Sequence, residues 1–375
     1  MASRSPEHRP LRIALLGTRG IPARYGGFET FAEELAVRLA ARGHRVVVYV
    51  RKHYACHPGD VYRGVTLRVL PAVRSKHCET VSHTALSMVD VLARRPDVVL
   101  VCNGVNACLT WLPRLRGIPV VLNVDGIERK RKKWGWLGKL AYAWNERLAC
   151  RLPTRVVADA RTIQAYYRER YGLETACIAY GAEVKKEEGT EALARLGIRA
   201  DGYFLYVSRL EPENNAHLVI EAYRRTGQEL PLVVVGDAPY SRRYKQRLRE
   251  LAEGANVLLP GAIYGRPYRE LLSHCRGYFH ATEVGGTHPA LLEAMGAGAR
   301  IVVHDTPENR EVAEGCGVLC DFYRTEKLAA WMGRLQASPE EWDDFVRAAR
   351  ERVRTRYDWE RIVDQYEELF YDLVG

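Results

Sequence analysis

Several residues in this 375-residue chain have the types and spacing that chemistry on phosphates and sugar hydroxyls requires. Arg209 closes the apolar run Tyr203-Phe-Leu-Tyr-Val-Ser208, where a guanidinium could pair bidentately with a diphosphate. Glu293 follows Pro289, a proline suited to the first turn of a helix. One turn inside, its carboxylate could accept hydrogen bonds from a ribose or sugar hydroxyl. It could equally be a glutamate favoured there by the helix dipole. Gly17, Gly20, Gly26 and Gly27 crowd one loop before a helix opening near Phe28. Glycines let backbone N–H groups approach phosphate oxygens, and the helix start adds a positive dipole end. The spacing fits neither Gly-x-Gly-x-x-Gly nor a Walker loop, so an ordinary glycine-rich turn remains an equal reading. Asp125, Asp159 and Tyr180 follow or end apolar runs. A carboxylate there could orient or deprotonate a hydroxyl within hydrogen-bond reach. The structural alternatives are an N-cap for Asp159, core packing for Tyr180 and a buried lone histidine for His83.

The elements that must position these groups alternate in the rhythm of parallel α/β sheets. Arg12–Leu16, Val46–Val50, Val98–Cys102, Val120–Val124 and Val156–Ala158 read as a first strand series, with a helix over Phe28–Arg42 that stops at Gly43. The pattern breaks into charge at Val184-Lys-Lys-Glu-Glu-Gly189. A second series then runs through Tyr203–Val207, Leu232–Val235, Val257–Leu259, Tyr278–His280 and Ile301–Val303. The reading is two α/β domains, over residues 1–185 and 190–354, plus an amphipathic final helix within 355–375. That helix either caps the second domain or crosses back onto the first. In open parallel sheets ligands bind beyond the carboxyl ends of the strands, which is where the residues above fall.

Bulk composition narrows the field. The net charge is +10, but residues 1–180 hold 30 basic against 14 acidic residues, while residues 181–375 hold 26 against 32. The whole excess lies in the first half. Nucleic acid, an anionic membrane and a phosphorylated substrate all fit such a balance at first sight. No stretch approaches the ~20 consecutive apolar residues of a membrane span. The first ten residues lack an apolar h-region, so no signal peptide is expected. Nine cysteines without a Cys-x-x-Cys pair suggest free thiols in a reducing cytoplasm, and no metal site is expected.

The segments Val207-Ser-Arg-Leu-Glu-Pro-Glu-Asn-Asn215 and Gly285-Gly-Thr-His-Pro-Ala-Leu-Leu-Glu-Ala-Met295 resemble glycosyltransferase family 4. The segments Leu16-Gly-Thr-Arg-Gly-Ile-Pro-Ala-Arg-Tyr-Gly-Gly-Phe-Glu-Thr30, Ser82-His-Thr84 and Asn123-Val-Asp-Gly-Ile-Glu128 resemble its subgroup of bacterial cell-surface polysaccharide rhamnosyltransferases. The resemblance, running from about residue 11 to 370, implies the α/β GT-B fold. Two Rossmann-like domains with parallel sheets would face each other across a cleft, with the last helix returning to the first domain. It further implies a retaining, metal-independent hexosyltransferase. The donor would be a dTDP-, UDP- or GDP-sugar carrying a hexose or a rhamnose-like deoxyhexose, and the acceptor a lipid-linked glycan.

Carried over by position, the resemblance makes Arg209 the diphosphate arginine and Gly26 and Gly27 the turn approaching the phosphates. Glu293 becomes the ribose contact, and Ile263 and Tyr264 the holders of the base. Asn214, Gly285, Gly286 and Thr287 complete the donor side; Glu29, His83 and Glu128 are expected at the acceptor. Three departures stand out. Asn214 replaces the family's lysine, Gly285 stands where the first Glu of Glu-x7-Glu belongs, with Glu283 two residues early, and Asp125 occupies the acceptor-side histidine position. The run Arg129-Lys130-Arg131-Lys132-Lys133 with Trp134 and Trp136 is a solvated face or a contact with anionic headgroups at the inner face of the plasma membrane. Two other functions share some of these features: a GT-B-type nucleotide-sugar epimerase and a non-catalytic basic binding protein. No nucleic-acid motif is present, so no nucleic-acid partner is expected.

Overall fold

The computed structural model describes residues 9–24, 26–55, 59–75, 78–127 and 135–375. The first sheet is built from β1 (Arg12–Leu16), β2 (Arg45–Arg51), β3 (Val61–Tyr62), β4 (Val65–Leu70), β5 (Val98–Cys102), β6 (Val120–Val124), β7 (Arg155–Ala158) and β8 (Ala176–Cys177). Their order is β3-β4-β2-β1-β5-β6-β7-β8, parallel except for the β3–β4 hairpin. The helices around it are α1 (Gly27–Ala41), α2 (Glu79–Arg94), α3 (Trp111–Arg114), α4 (Trp136–Ala149) and α5 (Arg161–Tyr171). Every residue of β5 and β6 is buried, because helices cover both faces of the sheet.

The second sheet has β9 (Phe204–Val207), β10 (Leu232–Val235), β11 (Val257–Gly261), β12 (Gly277–His280), β13 (Ile301–His304) and β14 (Val318–Cys320), ordered β11-β10-β9-β12-β13-β14 and parallel throughout. Its helices are α6 (Glu191–Arg195), α7 (Ala216–Tyr223), α8 (Arg242–Ala252), α9 (Arg266–His274), α10 (Pro289–Ala297), α11 (Pro307–Ala313), α12 (Thr325–Ala337) and α13 (Asp343–Arg356). Helix α6 already belongs to this half: the Ala192 N–H donates to Glu270 of α9 at 2.7 Å. Strand order reverses at β1 in one sheet and at β9 in the other, so the crevices for a ligand open beside those two strands.

The last helix, α14 (Trp359–Val374), lies on the first domain. Asp358 caps it by accepting the N–H groups of Glu360 and Arg361. Ala182 of the outgoing connection pairs with Tyr357 of the returning one, its N–H donating to the Tyr357 carbonyl at 2.8 Å. A side chain on Gly181 would strike the Trp359 ring, so the two crossings run in contact. Beyond them Tyr366 packs on Phe31 of α1, and Asn123 at the end of β6 donates to the Tyr366 hydroxyl at 2.7 Å, both residues fully buried. His44 accepts the Leu11 N–H at Nδ1, which leaves Nε2–H to donate to Glu367 at 2.8 Å. Arg42 reaches Glu360, Asp364 and Glu367 together.

Candidate active site

A cleft of about 960 Å³ runs between the carboxyl ends of the two sheets. It is reached by the segments after β1, β6 and β8 from one side and after β9, β10, β11 and β12 from the other. Of the residues singled out by chemistry, Gly26, Gly27, Asp125, Tyr180, Arg209, Asn214, Ile263, Tyr264, Gly285, Thr287 and Glu293 all line it.

At its centre two helix starts meet. Helix α1 opens at Gly27 and α10 at Pro289; a Cβ on Gly27 would come within 3.1 Å of the Pro289 ring. A Cβ on Gly26 would lie 3.9 Å from the Arg209 side chain. The glycine at 27 therefore lets the two N-termini approach closely, while Gly26 stands within ordinary contact distance of the arginine side chain. Two positive dipole ends and one cation around a gap make a place for an oligoanion such as a diphosphate. Asn214 adds no charge, but its amide donates to the Arg209 carbonyl at 2.6 Å and so fixes the arginine's backbone.

Farther along the second-domain wall, Ile263 and Tyr264 follow β11, and the Tyr268 hydroxyl of α9 donates to Glu293 of α10 at 2.6 Å. Burial drives the Glu293 carboxyl up to about 7, opposed by the Tyr268 hydrogen bond and aided by the charge of Glu34. On the opposite side Tyr180 is buried against Phe31, ring centroids 5.1 Å apart, and forms part of the cleft floor. Burial, then Asp125 and Asp159, holds its phenol far above the ordinary range, so it stays protonated.

Four expectations are corrected. His83 is fully buried in α2 and outside the cleft, and burial with the nearby Arg51 drives its imidazole down to about 4; it is a neutral core residue. Glu29 is buried, does not line the cleft and accepts the Arg19 N–H at 2.9 Å, bracing the glycine loop. Asp159 is fully buried at the domain contact, where it accepts the Thr287 N–H at 2.9 Å while the Thr287 hydroxyl donates to the Asp159 carbonyl. Gly286 lies outside the cleft lining; a Cβ there would sit 2.0 Å from the Asp159 carboxylate. Gly286 and the Thr287 N–H therefore serve the junction, not a donor. Asp159 does not cap α5 either: the N–H groups of Arg161 and Thr162 donate to Glu311 of the second domain at 2.9 and 3.1 Å. Glu128, Arg129, Lys130, Arg131, Lys132, Lys133 and Trp134 lie outside the described residues. Trp136 is described and is 74% exposed.

Some lining residues carried no local signal. Arg38 of α1 enters the cleft wall joined to Glu34, to Glu183 at 2.7 Å and to Glu360 of α14 at 3.1 Å. Trp359 and Glu360 line it only because α14 returns. His280 ends β12 in the floor, its Nε2 buried, and burial beside His288 and His304 keeps it neutral. No metal-ligand group of three or more His, Cys, Asp or Glu is present among the described residues.

Two doubly wound parallel sheets facing across such a cleft, with a last helix returning to the first, are the GT-B architecture. Residues 26–180 match the glycosyl transferase 4-like domain and residues 191–352 match the glycosyl transferases group 1 domain. The chain belongs to the glycosyltransferases assembled from these two domains.

Its fold is that of sucrose-phosphate synthase from Thermosynechococcus elongatus, with a TM-score of 0.82 at 21% identity over 96% of this chain and 98% of that one. It is also that of Anabaena HepE in complex with UDP-glucose, with a TM-score of 0.78 at 18% identity over 96% and 100%. In sequence the chain is 24% identical to the alpha-maltose-1-phosphate synthase of Mycolicibacterium smegmatis over 96% of this chain and 99% of that one. It is 28% identical, over 34% of each chain, to an N-acetylgalactosaminyltransferase of Campylobacter jejuni whose name specifies a diphospho-undecaprenol acceptor. That match spans about a third of either protein.

Proposed function

We propose that the chain transfers a hexose or 6-deoxyhexose from a nucleotide-diphospho-sugar to a lipid-linked glycan, with retention at the anomeric carbon and without a metal. The observation that carries this reading is the meeting of Arg209 with the N-termini of α1 and α10 in one cleft. The transfer breaks the bond between C1 and the diphosphate oxygen and forms one between C1 and the oxygen of an acceptor hydroxyl, whose proton passes to the departing diphosphate. The charge left on the nucleoside diphosphate is met by Arg209 and the two helix starts, preorganised and partly shielded from water. Glu293, ionised, accepts the ribose hydroxyls, with the base against Ile263 and Tyr264. Asp125, at the end of β6 in the cleft, faces the acceptor and orients its hydroxyl. The likeness to a transferase named for a diphospho-undecaprenol acceptor supports the lipid carrier. The test is transfer from a panel of dTDP-, UDP- and GDP-sugars to polyprenyl-diphosphate glycans. Release of nucleoside diphosphate coupled to acceptor elongation is expected with one donor. Conversion of the donor to an epimer without an acceptor would overturn the reading.

A further inference from the structure

One face of the first domain carries large apolar side chains in water. Trp136, Leu140 and Trp144 of α4 are 74%, 51% and 59% exposed. They stand four residues apart, which places them on a single stripe of the helix. The α3 turn also holds out Trp111 and Leu115, 43% and 72% exposed. The two helices are tied together: the Arg114 guanidinium donates to the Leu152 carbonyl, just past α4, at 2.6 Å. Exposed tryptophans and leucines grouped in this way mark a contact surface, since isolated domains cover such residues.

Charge specifies the partner. Between residues 104 and 155 the sequence has 11 lysines and arginines against three carboxylates. Of those three, Asp125 lines the cleft and Glu146 is buried, accepting the hydroxyls of Tyr166 and Tyr171 at 2.8 and 2.7 Å. The third, Glu128, directly precedes the five-residue basic run that leads into α4. Arg116, Arg147 and Arg151 are exposed, and the Arg147 guanidinium lies 5.9 Å from the centroid of the Trp144 ring. No described helix is long and apolar enough to cross a membrane, so this face can lie on a bilayer but not span it. Tryptophan and leucine on one side of a helix with arginines at its flanks are the composition of an interfacial segment.

We infer that the α3–α4 face docks on an anionic lipid bilayer, with Trp136, Leu140 and Trp144 entering the headgroup boundary and the arginines pairing with lipid phosphates. The inference rests on the proposed lipid-linked acceptor for its biological sense, though not for its test. Helix α4 begins 11 residues after Asp125. Docking there sets the acceptor side of the cleft next to the surface from which a lipid carrier would present its glycan.

Flotation of the full chain with phosphatidylglycerol–phosphatidylcholine vesicles, against pure phosphatidylcholine, tests it. Binding to the anionic vesicles is expected, falling as salt rises. L140E/W144E should lower the bound fraction about tenfold or more, since it puts two carboxylates into the stripe. Both positions are exposed, so the melting temperature and its shift with UDP should match the parent. Equal flotation of variant and parent would overturn the proposal. So would a parent dimer in solution that the variant splits, or oligonucleotide binding lost in the variant without any vesicle binding. Vesicle binding lost in the variant, in a chain that transfers no sugar, would support this surface and remove the proposed reaction instead.

Discussion

Asp159, at the end of the first sheet's β7, accepts the backbone N–H of Thr287 from the second domain at 2.9 Å, and the Thr287 hydroxyl donates back to the Asp159 carbonyl. The two halves therefore meet through a reciprocal pair of buried hydrogen bonds immediately before α10. Because α10 supplies one of the two helix starts at the cleft centre, this pair sets the distance between the anion-binding groups of the two domains.

Asp159→Ala should destabilise the protein by about 1–3 kcal/mol in urea unfolding, since the Thr287 N–H loses its buried acceptor. Asp159→Asn keeps an acceptor and should cost less. The sign with pH differs as well. Burial and the charge of Asp125 hold the Asp159 carboxyl well above its ordinary value, so its contribution is present in acid and declines as pH rises. The Asp159→Asn protein should lack that decline.

Gly286→Ala would set a methyl against the Asp159 carboxylate, at 2.0 Å in the present geometry. The domains must then separate or the loop must shift. Transfer should fall about tenfold or more while each domain keeps its fold, a loss of alignment between groups contributed by both halves. Circular dichroism with steady-state kinetics separates the two effects.

Glu293 should make nucleotide binding pH-dependent. With its carboxyl raised to about 7, the ionised form that accepts ribose hydroxyls is depleted in acid. Affinity for the nucleoside diphosphate should weaken as pH falls through about 7, and Glu293→Gln should flatten the profile. In the free protein the sign is opposite: the raised value means stability present at low pH and lost as pH rises through about 7. Calorimetric titration and melting curves between pH 5.5 and 8.5 read both (a range of about one and a half units either side).

Tyr366→Phe removes the hydroxyl that accepts from Asn123 under α14. With the amide left unpaired in a fully buried site, a loss of about 1–3 kcal/mol is expected in urea unfolding.

Much of the fold is legible in the chain because buried parallel strands are continuous apolar runs. Val98–Cys102, Val120–Val124 and Leu232–Val235 coincide with β5, β6 and β10 residue for residue. The short edge strands β3, β8 and β14 are not legible, having two, two and three residues and little apolar pattern. Arg209 just beyond β9, and Glu293 in the first turns of the helix after β12, are marked by position, since the sheet topology sends the segments after the strands toward the cleft. Asp159 carries the same local signature yet is buried, because which side chains meet at the junction is set by the docking of two domains; His83 is instead buried inside the first domain, on α2 beside Arg51. Trp359 and Glu360 enter the cleft through the return of α14, where Glu360 meets Arg38 of α1 across more than 300 residues of sequence. Asn214 shows a milder case: where a phosphate cation would be expected, its amide instead holds the backbone of the arginine that remains.

Calorimetric binding of UDP, dTDP and GDP to the parent chain and to Arg209→Ala tests the centre of this account most directly. One nucleoside diphosphate should bind the parent, and the substitution should raise its Kd by about tenfold to a hundredfold, the loss of a charge-assisted contact of about 1.5–3 kcal/mol. Equal affinity in both proteins would contradict the account, as would a parent that binds none of the three.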